Sequence, residues 1–313
     1  MLSDKRFSFI INPEAGRGRS RKLDLMLHSL LKSRNVDFTI EKTKKAVDAI
    51  DMARESAKQC DVVVAVGGDG TANEVANGVI GSKASMAVIP TGSGNDFARM
   101  LGMTNELEQS VDDVIRGRTE RIDSGTVRLK DGERRERVRK FVNSLGIGFD
   151  AIVAYESQRI RNLQGVPLYF VSILRSFRRL KPHAFEVSFD GKQSRENYYL
   201  VCVGNGNREG GGFYVTPKAN PQDGVFEVCT MKQVSMLRAL QILPTILKGK
   251  HGKFSEVDFF DTNQISVGSR KPFVVHCDGE ILGIDNESAE VHLVPKSLSV
   301  VVGAGGLKTS LLL

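Results

Sequence analysis

A short β-branched run, Val62-Val63-Val64-Ala65-Val66, stops abruptly at Gly67-Gly68-Asp69-Gly70-Thr71. The run has the length of a buried strand, although short apolar runs are ambiguous on periodicity alone. Thr71 and Glu74 have the spacing of a capping box, which predicts a helix starting there. The glycines remove side chains where backbone has to approach a ligand closely. Helix-start amides favour an anion, and Asp69 is placed to reach a phosphate-bound Mg²⁺. Gly67, Gly68, Asp69, Gly70 and Thr71 therefore read as a nucleotide site.

The pattern recurs. Phe7 to Ile11 is a second apolar run, followed by Asn12-Pro13-Glu14-Ala15-Gly16-Arg17-Gly18-Arg19. Met86 to Ile89 is a third, followed by Pro90-Thr91-Gly92-Ser93-Gly94-Asn95-Asp96-Phe97-Ala98-Arg99. Three strands ending in Gly-rich turns are what a parallel sheet needs to build one crevice at its carboxyl edge. Asn12, Gly16, Arg17 and Arg19 join the nucleotide set from the first turn. Thr91, Gly92 and Ser93 join it from the third. Asn95 and Asp96 suit a helix cap. The plain alternative for Arg17 and Arg19 is two solvated charges, and for Asp69 an ordinary turn residue.

At 313 residues the chain suggests two domains. No apolar run approaches the roughly 20 residues needed to span a bilayer. The Met-Leu-Ser-Asp-Lys-Arg start lacks the apolar core and cleavage site of a signal peptide. Cys60, Cys202, Cys229 and Cys277 form no Cys-x-x-Cys pair, so free thiols in a reducing cytosol are expected. The 44 Lys and Arg against 37 Asp and Glu give a net charge of +7. A basic balance suits nucleic acid, an anionic membrane surface or a phosphorylated ligand. No Cys/His finger or aromatic RNA-binding signature accompanies it, and tryptophan is absent. Nucleic acid therefore ranks below a membrane or phosphate partner.

Residues 1–125 alternate strand and helix, which predicts an α/β domain with a mostly parallel sheet. After Arg121 the pattern changes. Asp131-Gly132 reads as a hairpin turn, and strand-like runs then dominate, among them Tyr198–Val203, Val225–Met231 and Phe273–Cys277. A C-terminal β-sandwich over 126–297 is expected. Two helical patches interrupt it, near Leu168–Leu180 and Ser235–Leu247, the second broken at Pro244.

GGDGT at 67–71 resembles the nucleotide signature shared by diacylglycerol kinases, sphingosine kinases and NAD kinases. The NP-x-x-G turn at 12–16, the PTGSGNDFAR run at 90–99, Asp223-Gly224-Val225-Phe226-Glu227-Val228 and Asp278-Gly279-Glu280 resemble the lipid-kinase branch. The resemblance covers essentially the whole chain and is close to the soluble bacterial diacylglycerol kinase group. Ser93 stands where many relatives carry Thr, which keeps the hydroxyl. The resemblance implies ATP as co-substrate, Mg²⁺, and diacylglycerol as acceptor at an interdomain cleft. It makes Asn95 and Asp96 nucleotide contacts as well, a role compatible with capping, and it implies Asp278 as general base with Glu280 as its neighbour. It places Asp123 in the Mg²⁺ network with Asp69, and Asp223 at a second, structural Mg²⁺. It also implies that the segment from about 298 to 313 returns to complete the first domain. The location implied is cytoplasmic, peripheral at the inner membrane surface, with homodimerisation left open.

From the residues alone, a strand continuing through Asp278 and Glu280 would put both carboxylates on one face. The competing local reading is a hairpin turn, since Asp-Gly is a favoured turn dipeptide. Arg175, Arg178, Arg179 and Lys181 form one basic cluster, and Lys248, Lys250, His251 and Lys253 another. Either suits anionic lipid or a plain solvated face. NAD kinase is the nearest enzymatic rival, a sphingosine-type kinase shares the same ATP machinery, and a non-catalytic nucleotide- or lipid-binding regulator is the alternative of another class. Gly303 to Ser310 mimics a Walker loop, but Leu307 replaces the glycine before Lys308 and no helix can follow.

Overall fold

The computed structural model describes residues 5–45, 47–160, 162–163, 165–177 and 183–308. The chain clusters into two compact units, one of Met1–Ile122 with Pro295–Lys308 and one built on Asp123–Val294.

The first unit runs β1 (Arg6–Ile11), α1 (Ala15–Ser33), β2 (Asp37–Lys42), α2 (Asp48–Ser56), β3 (Val62–Gly67), α3 (Asp69–Val79), β4 (Ser85–Pro90), α4 (Asp96–Met100) and α5 (Leu107–Arg116). β1 lies between β2 and β3, and β3 pairs β4, all parallel, with Phe9 opposite both Ile40 and Val64. Every residue of β3 is buried. That explains its unbroken apolar run, because a parallel strand covered on both faces has no solvent side to alternate toward. Gly78 on α3 lets α2 approach: a Cβ there would lie 2.6 Å from that of Ala53.

The second unit follows β5 (Thr119–Asp131), whose chain crosses from one unit to the other, with β6 (Glu136–Phe141), β7 (Ser144–Gly148), α6 (Phe149–Gln158), α7 (Gly165–Ser176), β8 (His183–Phe189), β9 (Lys192–Gly204), β10 (Phe226–Lys232), α8 (Met236–Ile246), β11 (Val257–Thr262), β12 (Gln264–Cys277) and β13 (Glu280–Val301). Its recorded pairings are antiparallel, including β5–β6, β7–β9, β9–β10 and β12–β13. Alternation along β9 sorts two cores. Val201 and Val203 pack with Phe141, Phe185, Phe226 and Phe273 in a sandwich-like core. Leu200 and Cys202 face the other way, onto Phe149, Ile173, Ile242 and Leu243 of α6, α7 and α8. The last strand leaves this unit and pairs in parallel with β4, Val300 opposite Met86. Beyond it, Val302, Gly303 and Lys308 donate backbone N–H bonds to Arg118, Leu101 and Met100. Residues 309–313 lie outside the described residues.

Among the described residues the first unit pairs in parallel, β1 with β2 and β3, β3 with β4, and β4 with the end of β13, whereas the hairpins of the second half pair antiparallel. Two expectations need correction. The Thr71–Glu74 capping box does not form. α3 already starts at Asp69, and Glu74 instead accepts the N–H groups of Val47 and Ala49 at the start of α2. α8 is not broken at Pro244: that residue is exposed near the helix end, so its missing N–H leaves the buried face intact.

Candidate active site

The three Gly-rich turns converge at the carboxyl ends of β1, β3 and β4. Thr91 N–H donates to Gly67 O at 2.9 Å, and Asn12 N–H to Val66 O at 3.1 Å. Asn12 Nδ2 donates to Thr71 Oγ1 at 3.1 Å. The Thr91 hydroxyl lies 2.8 Å from that of Ser20 on α1. Gly68 and Gly92 touch backbone to backbone. A Cβ on Gly92 would stand 2.6 Å from Gly68 Cα, so any side chain there would pry the loops apart.

Asp69 accepts the Phe97 N–H at 3.1 Å, which ties the second turn to the start of α4. Asn95 takes a left-handed conformation, φ 56°, and its side chain both accepts from Gly92 N–H and donates to Gly92 O. It thus braces the third turn. Asp96 is buried at the first position of α4, and Ser93 is half-buried in the turn itself. Gly16 lies in the first turn of α1 at φ 59°; that turn carries no acidic residue, and Glu14 stands at its N-cap. The side chains of Arg17 and Arg19 lie outside the described residues.

In the second unit, Asp278 and Gly279 have φ of 47° and 84°, and Cys277 pairs with Glu280. The two are the central residues of a two-residue hairpin turn, so of the two local readings the turn holds and no strand continues through Asp278 and Glu280. Asp-Gly accepts the positive φ values that a tight hairpin's twist demands. The Asp278 carboxylate is nearly buried and accepts three backbone N–H bonds, from Val142 (3.0 Å), Asn143 (2.9 Å) and Ser144 (2.8 Å). Its own N–H donates to Ser144 O. Glu280 does not lie beside Asp278 on a shared strand face; it is ion-paired with Arg139 at 3.0 Å.

Residues 6–127 match the family described as diacylglycerol kinase catalytic domain, and residues 143–302 match the YegS C-terminal NAD kinase beta sandwich-like domain. A diacylglycerol kinase of Mycobacterium tuberculosis is 30% identical over 301 residues, covering 93% of each chain. The chain belongs to the diacylglycerol kinase family. A Bacillus subtilis diacylglycerol kinase is 28% identical over 285 residues, covering 90% of this chain and 91% of its own. The crystal structure of a diacylglycerol kinase from Bacillus anthracis str. Sterne shares the fold, with a TM-score of 0.69 and 21% identity over 97% of this chain and 98% of that one.

Of the acidic residues expected at metals in this diacylglycerol kinase family member, Asp69 belongs to the first unit and Asp123 and Asp223 to the second. Asp123 is fully buried. Its Oδ2 accepts Gly224 N–H, its N–H donates to Pro221 O, and its carbonyl accepts Asn205 Nδ2. It therefore pins the turn that carries Asp223. Partial burial, and the charge of Asp123, raise the Asp223 pKa. No third His, Cys, Asp or Glu completes a metal cluster with this pair among the described residues.

One group of titratable side chains escaped sequence reading. Asp150, Glu209 and His276 place their polar atoms within 4.8 Å of one another. Three separate pieces of chain supply them: His276 sits on β12 opposite Gly146 of β7, Asp150 comes from the start of α6, and Glu209 from the segment after β9. Gly146 leaves the room, since a Cβ there would meet Asp150 Oδ2 and His276 Nε2 at 2.1 and 2.2 Å. Burial, then the Asp150 charge, push Glu209 up to about 8. Burial alone would lower His276, but the Asp150 and Glu209 carboxylates outweigh it and raise the ring to about 9. Nε2 lies 3.0 Å from Asp150 Oδ2, within ion-pair range but off the alignment of a good hydrogen bond.

A neutral His276 would accept Gly279 N–H at Nδ1, 3.3 Å away, and would carry its proton on Nε2. A cationic ring carries a proton there too. While Nε2 carries a proton it offers no lone pair, so this group would take a metal ion only by giving that proton up. It is a buried proton-bearing network under the Asp278–Gly279 turn, which Ser144 extends by donating its hydroxyl to Glu209 at 2.8 Å.

Proposed function

We propose that the protein transfers the γ-phosphoryl group of ATP to the hydroxyl of a lipid alcohol, with diacylglycerol as acceptor and phosphatidic acid as product. The observation that carries this reading is the backbone contact of Gly68 with Gly92 beside Asp69. Such a side-chain-free junction at strand ends suits polyphosphate, which binds to amides and tolerates no Cβ in its path. Family membership supports the lipid acceptor.

In this reading Asn12, Gly16, Thr71, Thr91, Gly92, Ser93, Asn95 and Asp96 line or brace the nucleotide cradle, with Arg17 and Arg19 at its first turn. Asp69 carries a hard oxygen donor to the cradle, and a Mg²⁺ held there would neutralise charge on the phosphates. Asp69 itself holds two turns in register. Asp278 accepts the lipid hydroxyl proton. Its three amide donors fix the carboxylate in one orientation, which is what a positioned base needs. Glu280, tied to Arg139, sets the charge next to the turn. Asp123 would support the metal network, and Asp223 with neighbouring carbonyls would hold a structural Mg²⁺. The lipid is met at an anionic, cytoplasmic bilayer surface, toward which a net charge of +7 is drawn.

The test is acceptor choice. Purified protein, Mg²⁺ and labelled ATP are offered diacylglycerol, sphingosine and NAD separately. The reading requires label in the diacylglycerol product at the highest rate. Label in NAD with none in lipid would overturn it.

A further inference from the structure

We propose that the outward face of α8 is a docking surface for an anionic lipid bilayer. The inward face of this helix, Ala239, Ile242 and Leu243, is buried against Cys229 and Met231. A helix with one buried face is expected to be polar on the other. Here the outer positions are Met236, Leu237, Leu240, Gln241 and Pro244, with no charge among them. Met236, Leu237 and Leu240 are 52%, 76% and 36% exposed. Leu237, Leu240 and Pro244 follow helical spacing, so they form one stripe along the helix.

Charge is gathered instead at the end of the stripe. Lys248, Lys250 and Lys253 are exposed. No Asp or Glu occurs from Val228 to Ser255. Glu256, the next acid, is engaged by Arg238 at 2.7 and 3.0 Å, so it does not offset the lysines. An apolar stripe ending in uncompensated lysines matches the layering of a bilayer surface. The stripe enters the acyl boundary, and the flexible lysine stems leave their ammonium groups among anionic headgroups. A second copy of the chain is a poorer occupant, because a two-fold contact offers the same patch back, and that patch has no acid from Val228 to Ser255 to meet the lysines. The surface gives purpose to the lipid-acceptor reading and rests on it for that purpose, but it can be measured without catalysis.

The test is sedimentation of the full-length protein with vesicles of phosphatidylcholine alone or with phosphatidylglycerol, free of diacylglycerol and ATP. Wild type should pellet with the anionic vesicles at low salt and be released at high salt. Leu237→Asp should weaken partitioning at least 10-fold. Lys248→Gln/Lys250→Gln/Lys253→Gln should weaken it on the order of 100-fold and remove most of the salt dependence, at roughly fivefold per lysine. All these side chains are exposed, so both variants should keep the wild-type melting curve. Both should also keep the rate on a short-chain, monomeric diacylglycerol. Failure of wild type to bind, or equal binding by the variants, would overturn the proposal. So would a change of oligomeric state in Leu237→Asp with vesicle binding intact, which would make the face a protein interface. Loss of binding in the variants, with no lipid alcohol phosphorylated by wild type, would sustain the docking surface and remove the acceptor reading instead.

Discussion

Asp69 and Phe97 are joined by a 3.1 Å bond from the Phe97 N–H to the Asp69 carboxylate, 28 residues away in sequence. One oxygen of the acid proposed to serve the metal thus also fastens two turns of the cradle. The two duties can be separated. Asp69→Asn keeps an oxygen for Phe97 N–H and removes the charge. Its melting temperature should stay within a few degrees of wild type, while Mg²⁺-dependent ATP affinity falls at least 10-fold by calorimetry. Asp69→Ala should lose that affinity and about 1–3 kcal/mol of stability as well, because a part-buried N–H loses its acceptor.

Gly92→Ala tests the close approach. The new methyl would stand 2.6 Å from Gly68 Cα and 2.8 Å from Asn95 Oδ1, so backbone has to move. Denaturant titration should show a loss of about 1–3 kcal/mol. ATP affinity should fall as well. Gly191→Ala, in open space at φ 72°, is a control with backbone strain but no collision and no effect on ATP.

Asp278→Asn removes the proton acceptor while keeping a residue tolerant of positive φ. If Asp278 is the base, kcat should drop by about 10²–10⁴ with ATP affinity preserved. An amide replacing one oxygen cannot serve all three backbone donors, so about 1–3 kcal/mol of stability should be lost too. Glu280→Gln breaks a partly exposed ion pair with Arg139. Its stability cost should stay below about 1 kcal/mol. A kcat loss in that variant would then report on chemistry rather than unfolding.

His251 gives the fold a pH dependence. Burial lowers its pKa to about 4 from 6.5. The ring is 2% exposed, with Nε2 3.1 Å from Val215 O and an edge contact to Phe259. The unfolded chain takes up a proton below about pH 6.5 and the folded chain does not until about pH 4. Stability from this site is complete above pH 6.5 and declines as pH falls toward 4, by on the order of 3 kcal/mol. His251→Gln should flatten that part of the stability–pH curve measured by urea titration. An unchanged slope would contradict the assignment.

The parts legible in sequence were those written locally. Val62 to Val66 announced a buried parallel strand, and the glycines after it marked a backbone-to-backbone junction that Gly68 and Gly92 form. Glu74 was misread because a capping box is a local pattern, whereas its partners, Val47 and Ala49, come from another helix. At Asp278-Gly279 the local turn signal was right, and the paired-carboxylate reading gave way to it. Asp150, Glu209 and His276 left no trace, since α6, the segment after β9 and β12 each supply one of them and no spacing along the chain encodes their meeting. The exposed stripe of α8 was equally silent: periodicity places Leu237 and Leu240 on a helix without saying that the core occupies its other side.

The most direct measurement is the fate of the γ-phosphate. Purified protein is incubated with γ-labelled ATP, Mg²⁺ and vesicles containing diacylglycerol, and the lipid is extracted. The account predicts label in phosphatidic acid, lost when Mg²⁺ is chelated and reduced at least 10-fold in Asp69→Asn. No label in any extracted lipid, or equal label from wild type and Asp69→Asn at limiting ATP, would contradict it.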